Sequence, residues 1–343
     1  MKFVLLTRGG SYFPSWFKRP INGPGVLNWV RIFNGEMKRT KDFDSLRELE
    51  KYDIVWINIC GTDVGLVSEV ASALGKDCST KVVCNLDYAV EYFQHHMTSG
   101  KKTLFEFIND LASADLVVAQ EPYQYKLIKY IVEENAKVGG IKPTKVALIP
   151  HPADTRIKKQ IPEGAFIPHD QRLDILAVMY HRYDGQLWIP SAIVSNLQTK
   201  AGKPITMLLG YTGGPEVINM RDRLFDLIQP YTDWSEYIYL LAHCTLAFEY
   251  RTHHAHGRFA VECAMLGIPL VSNIHSYNSK ILFPKTTFKP SQFKEMRDTL
   301  IRLMEDPEFY EEVWRYAYEK VDEWGYDHKK KELLQALEEA EKK

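Results

Sequence analysis

HCTLAFEYRTHHAHGRFAVECAMLGIPLVSN, residues His243 to Asn273, is the stretch from which the fold is most directly read. Apolar and β-branched residues from Thr245 to Tyr250 predict a strand. A polar loop rich in histidine follows, then Gly257, then a helical pattern that carries Glu262, and then a second apolar strand, PLVSN. Strand, loop, helix and strand in that order predict a parallel βαβ unit. A helix that opens at a glycine presents unpaired backbone N–H groups and the positive end of its dipole, which suits a diphosphate.

Working outward, the same alternation runs through the rest of the chain. KFVLL, YDIVWINI, KVVCNL, DLVVAQ and VALIP read as strands separated by helical patterns, which predicts a parallel sheet covered on both faces. HPADTRIKKQIPEGAFIPHDQR then breaks the pattern with three prolines and many polar residues, so a linker is expected over 151–171. A second series follows: DILAVMY, a helix around Trp188 to Lys200, ITMLLG, a helix around Arg221 to Leu227, a short helix from Ser235 to Ala242, TLAFEY and PLVSN. From Pro290 onward the spacing is helical throughout. The expected α/β organisation is a Rossmann-like domain over 1–155, a second over 172–307, and helices over 308–343 that return toward the first domain. A chain of 343 residues suits two such domains.

A formal net charge of -1 offers no global basic field, which disfavours nucleic acid as a partner, although a local basic stripe would escape this argument. No apolar run approaches the roughly 20 residues of a spanning helix, and MKFVLLTRGG reads as a first strand rather than a leader. The five cysteines have no paired CxxC spacing and read as buried free thiols, which fits a reducing cytoplasm. SYFPSWFKRP, Ser11 to Pro20, is aromatic and basic enough to be a candidate for peripheral contact with a lipid surface or an acceptor. His253, His254 and His256 lack the H-E-x-x-H or paired-cysteine spacing of a zinc site, so no metal is expected.

Gly257, Glu262, Ala264, Met265, Gly267, Pro269 and Val271 together resemble the hallmark of retaining GT-B glycosyltransferases: a glycine-led helix start, a glutamate in the next turn, then A-M-x-x-G-x-P-x-V. The resemblance implies a GT-B fold, two Rossmann-like domains facing across a cleft. It also implies metal-independent transfer of a hexosyl or related group, with retention, from a nucleotide-diphosphate sugar of UDP or GDP type. The acceptor would be a hydroxyl of a glycan, a lipid-linked molecule or a small molecule. In such enzymes the glutamate at Glu262 accepts hydrogen bonds from ribose hydroxyls, and a second glutamate eight positions earlier lies beside the sugar; this chain has His254 there. DILAVMYHRYDG resembles the opening of the second domain, with Arg182 as the diphosphate-binding arginine. The usual following lysine is missing from DGQLW, so Arg258 or Arg251 is the candidate second cation.

NGPGVLNWVRIFNG resembles the glycine-rich loop of the first domain, which makes Gly23 and Gly25 candidates for close approach to the donor phosphates. Gly210 and Tyr211 are candidate base contacts, and Asp87, just past KVVCNL, is a candidate for orienting the acceptor hydroxyl or for capping a helix. The alternatives are a non-catalytic sugar-nucleotide binder, which His254 and the missing lysine favour, and a sugar-nucleotide epimerase on the same plan. A nicotinamide enzyme is weakly supported, because no G-x-G-x-x-G follows the first strand. A DNA-modifying transferase is disfavoured only by net charge.

Overall fold

The structure, a computed structural model, describes residues 1–9, 25–59, 63–86, 104–160, 172–179, 188–195, 197–211, 225–230 and 234–342. The chain forms two compact units, Met1–Ala153 with Tyr326–Lys343, and Asp154–Gly325.

In the first unit, β1 (Phe3–Thr7), β2 (Glu36–Arg39), β3 (Ile54–Asn58), β4 (Lys81–Asn85), β5 (Leu116–Ala119) and β6 (Lys145–Leu148) form a sheet in the order β2-β1-β3-β4-β5-β6. Every neighbouring pair is parallel. Because successive side chains point to opposite faces, each apolar strand feeds two cores. Val4, Leu6, Val55 and Ile57 pack with Val67 and Val70 of α2 (Leu66–Leu74), Phe107 and Leu111 of α3 (Leu104–Ser113), and Ile128 of α4 (Pro122–Gly139). Phe3, Leu5 and Trp56 pack on the other face with Trp29 of α1 (Gly25–Ile32) and with Leu333 and Leu337 of the final helix, Tyr326–Glu341. The Trp29 and Trp56 rings stack at 4.8 Å.

In the second unit, β7 (Leu173–Met179), β8 (Ile205–Tyr211), β9 (Leu227–Pro230), β10 (Cys244–Glu249), β11 (Leu270–Asn273) and β12 (Thr287–Phe288) form an all-parallel sheet in the order β12-β11-β10-β7-β8-β9. Its helices are α5 (Ile157–Gln160), α6 (Trp188–Val194), α7 (Trp234–Ala242), α8 (Arg258–Met265), α9 (Tyr277–Leu282), α10 (Phe293–Glu305) and α11 (Pro307–Lys320). The final helix, α12, belongs to the first unit, whereas α11 and the turn Val321–Trp324 stay with the second.

The sequence patterns locate nine of these strands but not β2, β9 or β12. All three lie at sheet edges, where a short strand with one neighbour needs no long apolar run. The helix expected around Arg221 to Leu227 is corrected at its end, since Leu227 begins β9; residues 221–224 lie outside the described residues. The helix expected from Trp188 to Lys200 stops at Val194, and Thr199 and Gly202 form a tight bridge beyond it.

Candidate functional site

In an open parallel sheet a ligand crevice forms at the carboxyl ends of the strands, where the strand order reverses. In the second unit that point lies between β7 and β10, which pair directly through Ala247 and Ala177 and through Phe248 and Val178. β10 leads into the loop that ends at Gly257. β7 ends three residues before Arg182, which itself lies outside the described residues, as do Gly23 and Asp87.

Gly257 adopts φ +79°, a left-handed conformation that glycine enters at little cost, and it forms the N-cap of α8 with no side-chain hydrogen bond. A methyl group added there would overlap Ser276 Oγ and reach within 3.3 Å of Asn278 N. The glycine is therefore required twice, by its dihedral and by the close approach of the next loop. That loop is stitched to the histidine segment: Ala255 N donates to His275 O, Tyr277 N to Ala255 O, and Asn278 N to His256 O, each at 2.9 Å. At the other end of α8, Gly267 at φ +64° closes the helix, with Ile268 N donating to Cys263 O and Gly267 N to Ala264 O. The buried Arg172 holds the same end, donating to the carbonyls of Gly267 and Leu266 at 3.0 and 2.8 Å. Burial lowers the Arg172 pKa.

Glu262 points inward from α8 and is 5 % exposed. Arg258 Nε donates to its Oε1 at 2.7 Å and Tyr237 OH, from α7, to its Oε2 at 2.8 Å. Arg258 is thus an ion-pair partner of Glu262 one helical turn away. Burial first, and the neighbouring Glu262 charge second, push the Tyr237 hydroxyl well above its ordinary pKa, so it remains a donor.

His254 lies in the loop with its ring 4.7 Å from that of His275, and His275 Nδ1 donates to Arg251 O. His253, His254 and His256 are all partly buried. Among the described residues no three His, Cys, Asp or Glu side chains gather where they could hold a metal ion.

Two groups here were missed by reading residue patterns. Glu249, the last residue of β10, is fully buried; Arg251 Nε donates to it at 2.9 Å, and the hydroxyls of Ser272 and Ser279 lie at 3.4 and 3.5 Å. Tyr237 is the other. A charged residue ending an otherwise apolar strand was the available signal for Glu249; nothing local marks Tyr237.

Gly210 and Tyr211 are the last residues of β8 and belong to the strand rather than to the loop after it. Gly25 starts α1, where an added Cβ would lie 2.7 Å from the imidazole of His151, so the close approach there is internal. His151 in turn accepts from Trp29 Nε1 at 3.2 Å.

No protein-family model matches the sequence, and no curated protein does. Solved structures do match along nearly the whole chain. An alpha-glucosyltransferase in complex with UDP-glucose and DNA containing an abasic site is 13% identical, with a TM-score of 0.65 over 98% of this chain and 99% of that one. HepE of Anabaena in complex with UDP is 13% identical, with a TM-score of 0.69 over 99% and 100%. The alpha,alpha-trehalose-phosphate synthase (UDP-forming) of Burkholderia xenovorans in complex with glucose-6-phosphate is 11% identical, with a TM-score of 0.69 over 98% and 100%. These are GT-B proteins, and with two parallel sheets matched along their length this chain has the GT-B fold.

Proposed function

We propose that this protein is a glycosyltransferase that moves a hexosyl or related group from a nucleotide-diphosphate sugar to an acceptor hydroxyl, with retention and without a metal ion. The observation that carries the reading is the buried Glu262 one turn into a helix that opens at Gly257, at the order-reversing point of the second sheet. In this reading Glu262 accepts from the ribose, the amides at the start of α8 and Arg182 hold the diphosphate, and Gly210 and Tyr211 meet the base. His254 lies beside the sugar, Asp87 orients the acceptor, and Gly23 makes a close approach to the donor phosphates. Arg258 is the second cation for the leaving diphosphate. Stabilising that leaving group is the main catalytic contribution.

The UDP complexes of the structural neighbours support UDP over GDP. Those neighbours hold DNA in one case and glucose-6-phosphate in another, so net charge is poor ground for excluding a nucleic-acid acceptor. A glycan, lipid-linked or small-molecule acceptor and DNA all belong in the acceptor panel. No described helix is long and apolar enough to cross a membrane. The cysteine spacing, read as free thiols, supports a cytoplasmic location, and Ser11 to Pro20, which lies outside the described residues, is the candidate segment for peripheral contact with a membrane or an acceptor.

Incubation with UDP- and GDP-sugars, with and without acceptors and chelator, tests the reading. Release of nucleoside diphosphate that rises with acceptor and persists in chelator is expected. Binding without release would favour a non-catalytic binder, and interconversion of donors without acceptor an epimerase.

A further inference from the structure

Tyr237 and Glu262 lie 25 positions apart, on two helices that flank β10 in sequence, yet the tyrosine hydroxyl meets the carboxylate at 2.8 Å. Arg258 meets the other oxygen at 2.7 Å. The two donors differ in kind. Arg258 is one turn away on the same helix, with a side chain 35% exposed, and reaches Glu262 through several rotatable bonds. Tyr237 has a short rigid side chain with two torsions, and its helix packs independently, with Ile238 and Leu241 buried. A carboxylate held from both oxygens has its plane fixed before any ligand arrives. Such pre-organisation favours a ligand whose two donors match that plane over a ligand with only one, because the ordering cost is removed in advance.

We propose that Tyr237 is a positioning residue that sets the plane of Glu262 to receive a vicinal diol, and so selects ribonucleotide over deoxyribonucleotide donors. The inference rests on the donor-site reading above and extends it to a residue outside the sequence motif. A phenol that merely satisfied a buried carboxylate would affect stability and all nucleotides alike. A positioning phenol affects the nucleotides unequally.

The test is calorimetric titration of the full chain with UDP and with 2′-deoxy-UDP. The wild type is expected to favour UDP by about tenfold, the worth of one hydrogen bond to a charged group. Tyr237→Phe should weaken UDP more than 2′-deoxy-UDP and narrow the ratio to about twofold. Near-UV circular dichroism checks that the variant is folded. Should it not fold, 3-fluorotyrosine at position 237 keeps the shape and makes a stronger donor, and the ratio should widen. In Glu262→Gln, adding Tyr237→Phe should change the ratio no further, because the two act as one unit. A ratio unmoved in either folded Tyr237 variant overturns the inference, as does a wild type that binds both nucleotides equally. A wild type that binds no nucleoside diphosphate overturns the donor-site reading, and this inference with it.

Discussion

At the scale of single residues, Gly257 is constrained more tightly than its place in a motif reveals. Its φ of +79° and the overlap that any Cβ would make with Ser276 Oγ are separate penalties. Gly257→Ala is therefore expected to cost about 2 kcal/mol or more. Ser276→Ala in the same chain should recover part of that loss by removing the oxygen, which urea melts of the single and double variants can check. His254 makes the converse case, a residue whose chemistry departs from the resemblance. Its ring lies against His275 and carries no fixed charge. His254→Glu should raise kcat for hexosyl transfer by several-fold, measured as acceptor-dependent release of nucleoside diphosphate; an unchanged or lower rate would remove this loop from the account of sugar recognition.

At the scale of elements, α8 is held at its start by the loop 273–278, at its end by Gly267 and Arg172, and across its middle by Tyr237. The first unit uses its strand ends in another way. Asn58, Asn85 and Gln120 close the ends of β3, β4 and β5 with side-chain hydrogen bonds of 2.9 and 2.6 Å, and Gln124 donates to Leu86 O. Glu121 caps α4 beside them. This ladder of buried amides orders the ends of β3, β4 and β5 with neutral side chains, and the buried carboxylate of Glu121 lies beside it. The final helix completes one of the two cores of the first unit. Leu333 is fully buried in the core with Trp29 and Trp56, so Leu333→Ala should cost about 2–5 kcal/mol, while Lys331→Ala, on the exposed side, should be silent in the same urea titration.

Across the whole molecule, buried neutral acids give stability a direction in pH. Burial raises the thiols of Cys84 and Cys263 and the phenol of Tyr237 well above their ordinary values, and raises Cys244 and Tyr310 to about 12. In the unfolded chain these groups lose protons near their ordinary values of 9.0 and 10.0, while the folded chain still holds them. The stability they contribute is thus complete below about pH 9 and declines as pH rises toward about 12. Asp63 and Asp110, also raised by burial, favour the folded state in acid and lose that contribution as pH rises through their folded values. Urea midpoints measured from about pH 7 to about pH 11 should be level at first and then fall. A level profile throughout would contradict burial of these groups.

What the sequence determined by itself is local. Runs such as FVLLT and IVWIN are buried on both faces, and that requires consecutive apolar residues, so the strands and the alternating α/β plan were legible. Glu262 lies on α8 and Gly257 and Gly267 flank it, all within one short segment, so their spacing carried the candidate site. Only the tertiary structure decided which strands are neighbours, and hence that the order reverses between β7 and β10. It also decided that Ser276 crowds Gly257, that Glu249 lies buried against Arg251, Ser272 and Ser279, that Tyr237 holds Glu262, and that of the C-terminal helices expected to return to the first domain α12 does so while α11 stays with the second unit. The first kind of feature follows from the periodicity of a single segment. Most of the second depend on residues that are distant in the chain and adjacent in space, and no periodicity records that distance being closed.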